Sequence, residues 1–552
     1  MLKTKLNESL LKDSYLLAKR AFLDIDAGIH AKAYVGVHPQ MYAESEFAGK
    51  YLDTCVRFYK NTGDEAFLER AKEVVESILR NQRADGYMGG YEHGEEFGTF
   101  GVWNQVFTAY GLVSYYEVTG DERALTSADA MISHTAKHFL TDVTADILAA
   151  LNYGSQHITV LLVLPRLYRL TKKQLFADFM AFVVERIKAS DNNFYDFSGV
   201  LSYRSKKGIE NFIVLLGMLL REDAVGGEEA LRACEGYWTE LNETQIRETG
   251  NGTLSELWTE NGNVPAFLPD TVKPNETCVS VGWCELSALL FRRTGEAKYL
   301  DAIEKTLYNH LLGSLAADGK DFAYYQPNFG KRVTRTSDNM YKCCRYRGYN
   351  AMSRLEDMLF TLEDNVLTPM LYTAASLEAD GLSVTEETAY PYGDTVCFTL
   401  TAKERRAITL RLRIPAFASR HTLTVDDREM DLPVENGYVK LPLDVYEKPK
   451  KVMLCLHTEP CVLSCEIEGK PYLTVRYGTV LLVPDSAFGY DVFDLRLKAG
   501  ETRFEKKELP GYRLAFETYG KADGKESKVL LADYSSAAKA SPTDYTVFIK
   551  AD

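Results

Sequence analysis

The chain has 552 residues, 46% of them hydrophobic and 26% charged, which is globular and too long for one ordinary core, so two to four domains are expected. Its formal net charge of −14 disfavours nucleic acid and anionic membrane as partners, since both select basic surface. The 34 Tyr and 26 Phe would suit a ring-lined ligand cleft, and core packing uses rings equally well.

In chain order, the opening MLKTKLNESLLKDSYLLAKR has no uninterrupted apolar run and no small-residue cleavage site, so no signal peptide is expected. The longest apolar run, ITVLLVL, is seven residues, far short of a membrane span. A cytoplasmic protein is expected, whose ten cysteines are reduced thiols or metal ligands. A repeat then appears: FYKNTGDEAFLERA (58–71), YYEVTGDERALTSA (115–128), LYRLTKKQLFADFM (167–180) and LFRRTGEAKYLDAI (290–303). Thr62, Thr119, Thr171 and Thr294 lie 57, 52 and 123 residues apart, and MLLREDAVGGEEALRA (218–233) reads as a degenerate copy inside the last gap. Each unit predicts a helix that stops at a Thr-Gly-type break, a short turn, and a second helix that opens with acidic residues at its positive end. Units of about 55 residues are helical hairpins, and five or six of them suggest an α/α toroid.

Beyond about residue 362 the pattern changes to alternation with period two, as in TVCFTLTAKERRAITLRLRIPAF and KPYLTVRYGTVLLVP, with turn signals such as Asn436-Gly437 between runs. The expected domains are a helical barrel (1–362), a β-sandwich (363–468) and a smaller β unit (469–552), packed without a flexible linker.

Three features late in the helical region carry chemistry: Glu276-Thr277-Cys278, the adjacent Cys343-Cys344 pair, and Trp258-Thr259-Glu260-Asn261 sixteen residues before Glu276. Zn²⁺ accepts both thiolate and carboxylate, so Glu276, Cys278, Cys343 and Cys344 are a candidate ligand set. Spacing alone leaves a second reading open, in which these are unrelated buried thiols. Cys55, Cys234, Cys284, Cys397, Cys455, Cys461 and Cys465 read as packing residues.

These stretches resemble the β-L-arabinofuranosidases of glycoside hydrolase family 127. The resemblance rests on TEN (259–261), ETCVSVG (276–282), LYNHLLGSLAADGKDFAYYQP (307–327) and CC (343–344), and extends to SQHITVLLVLPRLYRLT (155–171), LRLRIPAF (410–417), LTVRYGTVLLVP (473–484) and LADYSSAAKASPTDYTVFI (531–549). It implies an N-terminal (α/α)6 barrel followed by C-terminal antiparallel β-sandwich units. It also implies Zn²⁺ on Glu276, Cys278, Cys343 and Cys344, with Cys343 as nucleophile and Glu260 as general acid/base. His157 and Tyr324 resemble sugar-contacting residues. The implied activity is a retaining exo-glycosidase acting on an oligosaccharide or glycoconjugate, with a homodimer as the candidate assembly. A non-catalytic carbohydrate-binding relative with a structural zinc–thiolate site is the alternative, and a uronate lyase or epimerase rests on fold analogy alone.

The chain departs from the family pattern in its sugar-reading positions. Trp103, Asn104 and Gln105 stand where many relatives carry a histidine, and KKGIENF (206–212) lacks another. A Pro-Pro-Asn-type turn after the cysteine pair is replaced by Arg345-Tyr346-Arg347. Trp103, Asn104 and Arg345 are therefore candidate substrate contacts, and Arg345 with Arg347 would either face an acidic sugar or be ion-paired.

Overall fold

The structure, a computed structural model, describes residues 2–38, 43–149, 151–260, 273–333, 343–467, 469–539 and 542–552. Its helices are α1 (Leu10–Leu23), α2 (Ala27–Lys32), α3 (Glu44–Thr62), α4 (Glu65–Asn81), α5 (Gly101–Thr119), α6 (Glu122–Thr141) and the single turn α7 (Ser155–Ile158). Then come α8 (Leu164–Thr171), α9 (Gln174–Lys188), α10 (Gly208–Val225), α11 (Glu229–Thr244), α12 (Thr277–Thr294), α13 (Ala297–Thr306), the short α14 (Leu312–Ser314) and α15 (Cys343–Ser353).

The repeated threonine explains the hairpins. Helices α3, α5, α8 and α12 end on Thr62, Thr119, Thr171 and Thr294, each followed by a left-handed residue: Gly63, Gly120, Lys172 and Gly295. Each threonine hydroxyl donates to the carbonyl four residues back at 2.6 to 2.9 Å. Each also accepts the backbone N–H two residues on, at 3.2 to 3.4 Å. Asp64 and Asp121 then cap the next helix by accepting from Ala66 and Arg123. The degenerate copy uses another device: α10 runs on to Val225, and Glu222 accepts the N–H groups of Ala230 and Leu231.

The hairpins close into a ring. Inner helices α3, α5, α8 with the 3-10 turn before it, α10, α12 and α15 contact one another in that order, and α15 returns to α3. Outer helices α4, α6, α9, α11 and α13 back the inner helices they follow, while α1 backs α15, so the first and last helices form the sixth pair. The tightest contact is α3 on α5, where a Cβ on Gly49 would stand 2.4 Å from the carbonyl carbon of Phe107. The fold is thus an (α/α)6 barrel with an antiparallel β-rich C-terminal region.

That region holds a seven-stranded sheet, a five-stranded sheet and an eight-stranded sheet. Alternation is visible in burial: Thr395–Ala402 and Tyr438–Val445 bury every second residue. The seven-stranded sheet also takes in Lys3–Leu6, antiparallel to Ala375–Ala379, so the start of the chain belongs to the sandwich. Barrel and sandwich share one continuous apolar core, from Leu6 through the inner helices to Leu456. Buried Arg413 fastens them, pairing with Asp301 and Glu304 of α13. Asn309 does the same for the eight-stranded sheet, donating to the Thr479 carbonyl and accepting from Leu481 N–H, both at 2.9 Å.

Candidate active site and metal centre

The amino-terminal ends of several inner helices converge at one mouth of the barrel. Glu276 sits at the cap position of α12 and Cys278 in its first turn, while Cys343 and Cys344 open α15. Cys278 Sγ lies 3.1 Å from Cys343 Sγ and 3.2 Å from Cys344 Sγ. Cys344 Sγ lies 3.7 Å from Glu276 Oε1, and the backbone N–H of Cys278 points at Cys344 Sγ at 3.3 Å. The sixty-five residues that separate Cys278 from Cys343 in sequence are thereby bridged by two adjacent helices. Tyr341 and Lys342, which precede the pair, lie outside the described residues.

The second segment of the cluster is held by a buried hydrogen-bond chain. Asn251 Nδ2 donates to the Glu276 carbonyl at 2.7 Å and to Ser280 Oγ at 2.8 Å. Ser280 Oγ is 2.8 Å from His310 Nδ1, and His310 Nε2 is 3.1 Å from the Asn275 carbonyl. A carbonyl only accepts, so Nε2 carries the proton and Nδ1 takes the serine hydroxyl. Burial pushes the His310 pKa down to about 3, which keeps the ring neutral and this chain intact. His310 lies in a π-helical turn, Leu307–Leu311, that interrupts the run between α13 and α14.

Electrostatics mark the cluster as a site that wants a cation. Burial, followed by the charge of Glu256, raises Glu276 to about 8, against the opposing Lys207 and Lys50. Burial raises Cys344 to about 12 and Cys278 well above its ordinary value; Cys343 is raised by its hydrogen bond with Cys278 and by burial. Glu276 Oε2 is buried without a hydrogen-bond partner. Glu276, Cys278 and Cys344 form a buried group that could hold a metal ion, with Cys343 against it. Three soft sulfurs and one carboxylate are a donor set that suits Zn²⁺; two sulfurs on one tetrahedral zinc stand ~3.8 Å apart, so the sulfurs here, at 3.1 and 3.2 Å, would part by roughly half an ångström to take one.

Several charged residues at this mouth carried no sequence signal. Lys50, one turn after Glu46 on α3, is buried, pairs with Glu46 and lies 3.0 Å from Cys343 Sγ. Burial opposes its charge, but Cys343 and Glu46 more than offset that and raise its pKa. Lys207 at the start of α10 pairs with Glu256, which also accepts from Tyr325. Glu256 sits at the tip of a two-residue turn, with Leu254 and Leu257 exchanging backbone hydrogen bonds at 3.0 Å and with φ of 47° at Ser255 and 72° at Glu256. That turn suits Asn-Gly; a Ser-Glu pair is strained there, as at sites that present a side chain. Only the structure could find these residues, because Cys343, Glu256 and Tyr325 are remote in sequence from Lys50, Lys207 and Glu256 respectively.

The remaining expected residues divide. Tyr324 is beside the cluster: its carbonyl accepts from Thr277 N–H at 2.9 Å and its hydroxyl hydrogen-bonds Glu256. Asn104 Oδ1 accepts from Glu46 N–H at 3.1 Å, and the Trp103 ring lies 5.9 Å from Lys50 Nζ, so both reach the same mouth. His157 is buried 6.0 Å from the Phe139 ring, with its pKa pushed down to about 4 by burial, and among the described residues no hydrogen bond joins it to the cysteines. Arg345 Nε is 3.8 Å from Asp321, and Arg347 is committed to Glu285. Glu260 is exposed in a turn, with residues 261–272 beyond it outside the described residues. Cys55, Cys234 and Cys284 are buried, and all ten cysteines are unpaired.

A closed ring of helical hairpins that gathers three thiols, a carboxylate and an ammonium at one mouth, carried on a β-sandwich, defines a thiol-and-carboxylate enzyme site on an (α/α)6 scaffold. The family described as "Beta-L-arabinofuranosidase, GH127 catalytic domain" matches residues 7–357, and "Beta-L-arabinofuranosidase, GH127 middle domain" matches 367–457. The chain belongs to glycoside hydrolase family 127 and is a glycosidase. It is 23% identical over 472 residues to the non-reducing end beta-L-arabinofuranosidase of Bifidobacterium longum subsp. longum, covering 73% of this chain and 69% of that one. Two solved structures share the fold along the whole chain. One is a GH127 beta-L-arabinofuranosidase from Geobacillus stearothermophilus T6, with a TM-score of 0.81, 17% identity and 100% of both chains covered. The other is a GH127 beta-arabinofuranosidase, with a TM-score of 0.84, 16% identity, and 100% of this chain and 97% of that one covered.

Proposed function

We propose that this glycosidase releases β-L-arabinofuranose from the non-reducing end of small glycans, with retention, using Cys343 as nucleophile and Glu260 as acid/base. The observation that carries this reading is the packing of Cys343 against Cys278 Sγ on one side and Lys50 Nζ on the other, at 3.1 and 3.0 Å. Glu276, Cys278, Cys343 and Cys344 would hold Zn²⁺, which when bound keeps the thiols deprotonated at neutral pH and so makes one of them nucleophilic.

In the first half of the reaction the Cys343 thiolate attacks the anomeric carbon while Glu260 gives its proton to the departing oxygen. In the second half Glu260 takes a proton from water, which displaces the sulfur. The Lys50 ammonium favours the charged sulfur both before attack and as it departs, and Glu46 holds Lys50 in place. The Lys207–Glu256 pair with Tyr324 and Tyr325 stands where the chain lacks a family histidine, and supplies donors and acceptors for sugar hydroxyls. A neutral glycone is favoured over an acidic one, because Arg347 is ion-paired, Arg345 lies near Asp321, and both lysines at the mouth face carboxylates. Ten unpaired thiols accord with a cytoplasmic setting.

The test is a panel of aryl glycosides assayed with the parent, Cys343→Ala and Glu260→Gln, with zinc measured in each preparation. Cys343→Ala should lose at least ~10³-fold in kcat and Glu260→Gln about 10²–10⁴-fold, least on good leaving groups. Wild-type turnover in both variants would refute the assignment.

A further inference from the structure

Behind the cysteines the barrel axis is hollow. A cavity of about 450 Å³ runs between the inner helices, bounded at one end by Lys50 and Arg347 and at the other by Lys60 and Arg292. Lys50 and Lys60 are ten residues apart on α3, so the cavity is about 15 Å deep. Its mouth faces the carboxy-terminal ends of the inner helices, opposite the cysteine cluster, which sits at their amino-terminal ends.

The charges on its wall do not balance. Six cationic side chains line it, Lys50, Arg57, Lys60, Arg292, Arg347 and Arg354, against three carboxylates, Asp53, Glu285 and Asp357; Lys50 has its own partner in Glu46, which leaves five cations to three carboxylates. Each carboxylate is already shared: Asp53 by Arg57 and Arg354, Glu285 by Arg347 and Arg354, Asp357 by Arg57 and Lys60. Burial would raise the Tyr110 phenol, yet Arg166, Arg354 and Arg57 more than offset it and hold it below its ordinary value. The opposite wall is apolar, built by Phe107 of α5 and by Ile213, Leu216 and Leu220 of α10. One cationic wall facing one apolar wall fits an amphipathic anion better than it fits water or a bare ion.

We propose that this axial cavity is a second binding site, for a small organic anion whose carboxylate or phosphate meets Arg57, Arg292 and Arg354 and whose apolar part lies against Phe107, Leu216 and Leu220. It is separate from the sugar site and does not depend on the reaction proposed above. Because Lys50 reaches Cys343 and Arg347 leaves the cluster on the same helix, an occupant would act on the cysteines from behind without competing for the glycone.

The experiment titrates the full-length enzyme calorimetrically at low ionic strength with phenyl phosphate, with benzoate and with neutral benzyl alcohol. At least one anion should bind once per chain and at least tenfold more tightly than the alcohol; which of the two wins identifies the charged group. Lys60→Gln with Arg292→Gln, both on exposed side chains at the mouth, should weaken that anion at least fivefold while leaving the melting temperature and basal kcat/KM unchanged. A crystal soaked with 4-bromophenyl phosphate or 4-bromobenzoate should show bromine between α5 and α10. No preference for either anion over the alcohol, undiminished binding in the double variant, competitive inhibition against an aryl glycoside, or bromine at the cysteine mouth would each overturn the proposal.

Discussion

Loading metal-free protein with zinc should expel about four protons per chain at pH 7, falling to about three at pH 9. The count follows from the site. All three cysteines are raised above their ordinary value, Cys344 to about 12, so each enters the metal-free cluster protonated. Glu276, raised to about 8, holds ~0.9 of a proton at pH 7 and ~0.1 at pH 9. Lys50 adds nothing, because its pKa is raised and it stays charged across that range. Apparent zinc affinity must therefore climb with pH, and more steeply below pH 8 than above it. Calorimetry in three buffers of different ionisation enthalpy, with zinc delivered against a chelator, reads the number directly. Cys343→Ala should lower it by about one at each pH. An unchanged count in Cys343→Ala would remove Cys343 from the ligand set, and release of two protons or fewer from the parent would refute the protonated cluster itself.

Asp53→Asn should cost as much as about 3 kcal/mol in urea unfolding, because it removes the buried carboxylate that Arg57 and Arg354 share and leaves them only Asp357 and Glu285. Arg57 and Arg354 overcome burial to lower the Asp53 pKa, so its stabilisation is complete above the ordinary aspartate value near 3.9 and fades as pH falls below it. The parent should lose its advantage over the variant only in acid. Glu386→Gln has the opposite sign: burial raises that carboxyl well above its usual range, so the folded state holds the proton longer. Parent stability relative to the variant should fall as pH rises from about 4.3, on the order of 1.4 kcal/mol per pH unit until the folded pKa is passed, as read in paired thermal melts; carboxyls such as Glu276 that are also raised contribute equally to both and cancel. The glutamine keeps an oxygen for the Thr373 N–H. Gly49→Ala should destabilise by about 1–3 kcal/mol even though alanine is the better helix former, since its Cβ would meet the Phe107 backbone, which cannot yield. A melting temperature equal to or above the parent's would show that α3 and α5 can part.

What was legible in the sequence is what local chemistry decides. The Thr-Gly breaks announce the hairpins because the threonine hydroxyl and the left-handed residue are both local requirements of the turn. The alternation in Thr395–Ala402 announces a half-buried strand for the same reason. The strand Lys3–Leu6 was not legible: KTKL is four residues long and its partner begins at Ala375. The sixth helical pair, α1 with α15, was hidden because it joins the two ends of the barrel sequence rather than neighbours. At the site, adjacent thiols and ETC stand out as rare residue types. Lys50, Lys207 and Glu256 do not, since lysines and glutamates at helix starts and in loops are ordinarily solvent-facing; only their partners, Cys343, Glu256 and Tyr325, give them a role.

In the retaining reaction proposed above, two carboxylates four residues apart, Glu256 and Glu260, would divide the requirements between them. An acid that protonates a leaving group must hold its proton near neutral pH. Glu256 cannot: burial would raise it, but the Lys207 ammonium and the hydroxyls of Tyr325 and Tyr324 bring it below its ordinary value and keep it charged. Its charge instead falls on Glu276, where it is the second cause, after burial, of a pKa near 8. A negative group held there makes the cluster more attractive to a cation and leaves a fixed acceptor for a sugar hydroxyl. In the proposed reaction the proton transfer is therefore assigned to Glu260, exposed at the end of the same loop, sixteen residues before Glu276 and with no ammonium partner among the described residues. The loop thus carries both carboxylates of the proposal, and Lys207 of α10 holds the first of them, Glu256, in its charged form.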